Sequence, residues 1–169
     1  IDYVDGGVSD GIVGNMTDYP TITEATLSNA NEVGSETNIS IGYHAIEFLL
    51  WGQDLTPESD RLPGQRPFTD YTTGDNAVRR AAYLKIVCDL LIDDLQSMVD
   101  AWNPNSNGNY RTTFIDLDNN TALKNIFTGI GTLSKSELAG ERIYVAYENR
   151  SQEDEHSCFS DNTNRDIIL

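Results

Sequence analysis

The chain has 169 residues, 38% of them hydrophobic, and a formal net charge of −16, which gives room for one ordinary domain or parts of two. So acidic a chain repels phosphate backbones and anionic membrane surfaces; nucleic acid is a poor partner, and cations or basic partners are favoured. No apolar run is long enough to span a bilayer, and most of the 27 acidic residues are expected to be solvated surface.

In chain order, Asp5 to Pro20 is rich in Gly and Asp and reads as loop. Pro20-Thr21-Ile22-Thr23-Glu24 looks like a short helix start. From Asn38 to Trp51 the apolar residues take helical spacing, and Ile41, Ala45, Phe48, Leu49 and Leu50 are predicted to form its buried side. Gly52 is a plausible terminator. Leu55 to Thr73 holds three of the five prolines and reads as an ordered connection. Its length exceeds the usual loop range, which hints at function.

The strongest predicted helix runs from Asp75 to Trp102. Val78, Ala82, Leu84, Val87, Leu91, Leu95, Met98 and Trp102 recur there at three- and four-residue steps. Asp75 or Asn76 can cap its start. Asn103 to Asn109 is an Asn/Gly-rich break and the candidate boundary, dividing the chain into portions 1–107 and 108–169. Tyr110 to Ile115 gives one helical turn or two. Asn120 or Thr121 can open a helix carrying Leu123, Ile126, Phe127 and Ile130, weakened by Gly129 and Gly131. Ser134 to Tyr147 reads as a further helix, with Ser134 and Glu137 as a capping box. Gln152 to Phe159 reads as a short acidic helix, and a last element begins at Asn162. Strand signals are thin, so the expected class is all-α, a helical bundle with portions of two bundle domains.

Two residue pairs carry possible chemistry. The chain has two histidines, and each has a carboxylate three residues away: His44 with Glu47, and His156 with Glu153. On a helix such a pair shares a face and can offer both side chains to one ion. Imidazole with carboxylate suits iron, zinc or manganese better than calcium. Antiparallel helices could bring the two pairs face to face. Glu47 stands between Ile46 and Phe48-Leu49-Leu50-Trp51. A carboxylate buried in such a run needs a partner or costs several kcal/mol in desolvation, roughly. A metal, His44, or an arginine from Arg79, Arg80, Arg142 or Arg165 would serve. The plainer readings are a hydrogen-bonded core histidine for His44 and an acidic helix start for Glu153-Asp154-Glu155-His156.

No nucleophile triad is apparent; Ser157 beside His156 is only a sequence neighbour. Gly129-Ile130-Gly131 lacks the lysine of a phosphate loop. Cys88 and Cys158 form no CxxC and do not fix a redox compartment. The chain opens at Ile1 without an initiator Met or a secretory signal and reads as a processed or trimmed segment.

Four ordered segments make a more specific pattern. Gly42-Tyr43-His44-Ala45-Ile46-Glu47, continuing to Trp51-Gly52-Gln53-Asp54, resembles the GxHxxE segment of the imelysin family, whose members include proteins like the iron-regulated protein A. Pro63-Gly64-Gln65-Arg66-Pro67-Phe68-Thr69-Asp70-Tyr71 resembles that family's arginine-proline loop. Leu138-Ala139-Gly140-Glu141-Arg142 is similar to its ELAGER-like run, and Gln152 to Thr163 to its EDEHSCFSDNT run.

The resemblance implies helical-bundle domains, a site in the cleft between them, export to the periplasm or cell surface, and a link to bacterial iron uptake. Partners implied are a metal ion or a small iron-linked ligand, and other iron-uptake proteins. Gly42, His44 and Glu47 carry over directly as the motif; Glu141, Arg142, Glu153, Asp154, Glu155 and His156 carry over as motif positions. The resemblance also implies a zinc-peptidase alternative with His44, Glu47 and His156 as ligands and Glu155 as base. A third possibility is a metal-free peptide- or protein-binding module, with Glu47 closed by Arg80 or Arg142. Asn164 departs from the family, which often has His there. Family members are longer, so the resemblance implies a part-length chain.

Overall fold

A computed structural model describes residues 2–5, 11–35, 38–53, 64–144 and 147–148. Every regular element among them is helical, so the fold class is all-α. The order is α1 (Asp2–Asp5), α2 (Glu24–Ala30), α3 (Gly42–Trp51), a 3-10 turn (Phe68–Tyr71), α4 (Ala77–Trp102), α5 (Tyr110–Ile115), α6 (Asn119–Thr132), and a π-helical run (Leu133–Tyr144). The described residues up to Gln96 form one compact unit, and those from Ser97 belong to a second.

The first unit holds the core. Val4 of α1, Leu27 and Ala30 of α2, Ala45, Phe48 and Leu49 of α3, and Tyr83 and Val87 of α4 pack into one cluster with Ile12 and Val13. The last two lie in a stretch that reads as loop by composition. Their burial is possible because their backbone groups are satisfied. Ile12 and Val13 N–H donate to the carbonyls of Tyr3 and Val4 at 2.9 and 3.1 Å. Arg79 of α4 donates to the carbonyls of Ile12, Val13, Tyr19 and Pro20. One guanidinium thereby holds the whole 12–20 segment on α4.

Hydroxyl groups complete the core. Ser40 Oγ donates to Leu27 O, and Tyr83 Oη donates to Ser40 O, both at 2.8 Å. Tyr83→Phe deletes a buried donor and strands a carbonyl. It is expected to cost about 1–2 kcal/mol in urea unfolding; an unchanged midpoint would show that this bond contributes nothing. Tyr3 Oη donates to Ala30 O at 2.7 Å and lies 3.2 Å from Tyr19 Oη. Burial, followed by the contact with Tyr19, pushes the Tyr3 phenol up from its ordinary value of 10.0 to about 12. Burial likewise raises Tyr83. A raised folded-state value favours the neutral phenol in the fold. That contribution is complete below about pH 10 and is lost as pH climbs toward 12. Tyr3→Phe is therefore expected to flatten the fall in unfolding midpoint between about pH 10 and 12. Identical pH profiles for the two proteins would exclude this role.

α4 differs from its predicted stripe. Ala77, Arg80, Tyr83 and Val87 are its buried residues. Val78 is exposed, and so are Leu95, Met98 and Trp102. Only the first half of the helix lies on the core; the repeat along the second half is apolar without being buried. Among the described residues, none beyond Val87 is buried.

In the second unit local caps do much of the organising. Asn109 accepts from Thr112 N–H at the start of α5 and donates to the carbonyls of Asp100 and Asn103. Asp118, not Asn120 or Thr121, caps α6, accepting from the N–H groups of both. Hydrogen bonding from Thr121 holds its carboxyl below the usual range. Trp102, Tyr110 and Phe114 form an aromatic cluster with centroids 5.2 to 6.1 Å apart. The helix predicted to begin at Ser134 has no separate start. α6 passes through Gly129 and Gly131, and Leu133 keeps helical dihedrals, so the chain enters the π-helical run unbroken. Ser134 therefore has no N-terminus to cap.

Candidate functional site

α3 carries the GxHxxE segment, and its ends explain both bordering glycines. Gly42 has φ 83° and Gly52 has φ 73°, a left-handed region that strains other residues. The motif glycine thus serves backbone conformation and offers no ligand. Ala45, Phe48 and Leu49 point into the core. At about 100° per residue, Tyr43, His44, Glu47, Leu50 and Trp51 fall together on the opposite face, an arc of roughly 120°.

On that face His44 Nδ1 and Glu47 Oε2 lie 3.0 Å apart, with side chains 47% and 46% exposed. The buried carboxylate expected from the apolar run is therefore not what the helix makes. Phe48 and Leu49 turn inward, Leu50 and Trp51 turn outward, and Glu47 stays half in water. Its partner is His44, the nearer of the groups that could serve.

The arginines have other tasks. Arg80 Nε donates to Asp5 Oδ2 at 2.6 Å, and its Nη atoms bind Asp5 Oδ1 and the carbonyls of Asp70 and Asp75. Burial opposes its charge, but the Asp5 hydrogen bond and charge outweigh that, leaving the guanidinium above its ordinary value. Arg66 Nη1 bridges Asp5 Oδ2 at 2.8 Å and Asp70 Oδ2 at 3.0 Å. Asp5 thus serves two guanidinium groups, and all three side chains are less than 10% exposed.

The same cluster fastens the C-terminus of α3. Arg66 N–H donates to Trp51 O at 2.8 Å, and Gly52 N–H to Phe48 O. Arg66 Nη2 reaches Phe48 O at 3.4 Å and the guanidinium lies 5.8 Å from the Phe48 ring centroid. Tyr71 Oη donates to Leu49 O, and burial raises its phenol above the ordinary value. Terminal carbonyls that a helix leaves orphaned are satisfied here by the 64–71 loop, whose Arg66 guanidinium also lies at the negative end of the helix dipole. The 64–71 loop is thus a clamp on the helix that presents His44 and Glu47.

Trp51 stands on the exposed face one turn beyond Glu47. The backbones of Glu141 and Arg142 belong to the π-helical run. Glu153, Asp154, Glu155, His156, Ser157 and Cys158 lie outside the described residues, as does Arg165. Asp5 was not singled out by sequence, and Gly64, Arg66, Asp70 and Tyr71 entered only as members of the arginine-proline loop, with no role of their own. For Gly64, Asp70 and Tyr71 the proline-bracketed loop was a usable signal; for Asp5, 75 positions from Arg80, there was none.

A comparison with family models matches the one described as Imelysin to residues 1–169, the whole chain. The chain belongs to the imelysin family. Among curated proteins none matches it. In this chain His44 and Glu47 are thus an imidazole–carboxylate pair on the outer face of a helix whose C-terminal end is clamped. Among the described residues no group of three or more His, Cys, Asp or Glu converges, and no helix is long and apolar enough to cross a membrane.

Proposed function

We propose that this imelysin is an extracytoplasmic protein of bacterial iron uptake that binds a metal ion, iron first and zinc as its surrogate, through His44 and Glu47. The supporting observation is the 3.0 Å separation of Nδ1 and Oε2 on an exposed helix face. With metal–ligand bonds of about 2.1 Å, two donors so spaced subtend roughly 90° at a shared ion, the angle of neighbouring octahedral positions. Binding replaces the proton between the two atoms by the metal, with small rotations of the two side chains that turn their lone pairs toward it. The ion is cargo, and the residues orient it by imidazole and carboxylate together.

Calorimetric titration with Fe²⁺ under anaerobic conditions, and with Zn²⁺, tests this. His44→Ala and Glu47→Gln are each expected to weaken binding at least about tenfold, the loss of one ligand bond. Absence of heat with either ion in the wild-type protein would remove the proposal.

A further inference from the structure

The geometry points to a metal chelate with a flat aromatic body, neutral or cationic overall, as the form in which α3 takes its metal; this rests on the metal reading of His44 and Glu47. The pair is framed by apolar surface. Tyr43, Leu50 and Trp51 are 61%, 50% and 55% exposed. Tyr43 stands one turn before Glu47, and Leu50 and Trp51 one turn after it. The two aromatics are eight positions apart, roughly 12 Å along the helix axis. A hydrated ion gains nothing from such a frame. A planar ligand holding the outer coordination positions would lay its ring faces on Tyr43 and Trp51 while the ion meets Nδ1 and Oε2 between them.

Charge narrows the class further. An anionic chelate needs basic groups at the site. Among the described basic residues of this unit, Arg66, Arg79 and Arg80 are all bonded into the interior, and Lys85 pairs with Asp89. The carboxylate of Glu47 and the net charge of −16 repel anions and attract cations. A cationic or neutral complex also gains from the ring faces beneath it.

Three probes of equal charge separate the possibilities: Zn²⁺ alone, Zn²⁺–diethylenetriamine and Zn²⁺–terpyridine. The two chelates offer three nitrogen donors each and differ in the aromatic body. In the whole chain, calorimetry is expected to show the terpyridine complex binding roughly tenfold tighter than the diethylenetriamine complex. Trp51→Ala and the milder Trp51→Leu should remove most of that advantage, as should Tyr43→Ala, leaving Zn²⁺ alone unaffected. With Trp102→Phe as background, terpyridine–Zn²⁺ should also quench Trp51 emission. Equal affinities for the two chelates, alongside normal Zn²⁺ binding, would overturn this inference and leave the metal reading intact. So would an advantage that survives both aromatic substitutions, or one that metal-free terpyridine reproduces. Failure of all three probes to bind would sink the metal reading and this inference together.

Discussion

Asp5→Ala should destabilise the first unit by about 3–5 kcal/mol, the range for breaking a buried ion cluster by removing one partner. Asp5 gives one carboxylate to both Arg66 and Arg80. Its removal leaves two guanidinium groups facing each other with only Asp70 and backbone carbonyls as acceptors. Asp5→Asn keeps the shape and one acceptor oxygen but loses the charge, and should fall between. Urea unfolding at fixed ionic strength reads the effect. Since the side chains are less than 10% exposed, added salt should change it little. A loss under about 1 kcal/mol, typical of a surface pair, would mean that the cluster is not a structural centre.

The second large effect is expected at Gly64. A Cβ there would stand 2.6 Å from Trp51 O and closer still to Gly52 O. Both obstacles are backbone at the end of α3, so no flexible side chain can yield. Gly64→Ala must push the loop off the helix and break the Arg66 N–H to Trp51 O bond. A cost of about 3 kcal/mol, the upper part of the overpacking range, is expected in urea unfolding. The same substitution should weaken Zn²⁺ binding in calorimetry, since the clamp fixes the helix that carries His44 and Glu47. Gly108→Ala is the contrast: Gly108 has a positive φ, 74°, which Gly64 does not, but its Cβ meets nothing within 4 Å. A loss at Gly64 no larger than the strain cost at Gly108 would show that the close approach to the end of α3 is easily relieved.

Both substitutions act on the support of α3, and the His44–Glu47 pair lies on the face opposite that support. This division follows from one helix. α3 spends Ala45, Phe48 and Leu49 on the core, its last carbonyls on the clamp, and leaves Tyr43, His44, Glu47, Leu50 and Trp51 on the face away from the core. The motif is six residues long, but its presentation depends on residues from α1, the 64–71 loop and α4.

Sequence alone determined the helical class and the position of α3 and α4, because apolar periodicity is a local property that each segment carries with it. It also determined the His44–Glu47 pairing, since three residues of helix bring those side chains together wherever the helix lies. Capping was legible in type but not in place: Asp118 caps the start of α6 where Asn120 or Thr121 was expected, because several capping residues stand side by side and only the entering backbone selects one. Tertiary structure alone decided which side of α3 faces water. An apolar run such as Phe48-Leu49-Leu50-Trp51 surrounds the helix, so its pattern cannot say that Leu50 and Trp51 are left outside. It alone also decided that Arg80 closes on Asp5 and leaves Glu47 to His44. That choice joins residues 75 positions apart, and a charged side chain finds its partner by proximity in the folded core, a relation that no local spacing encodes.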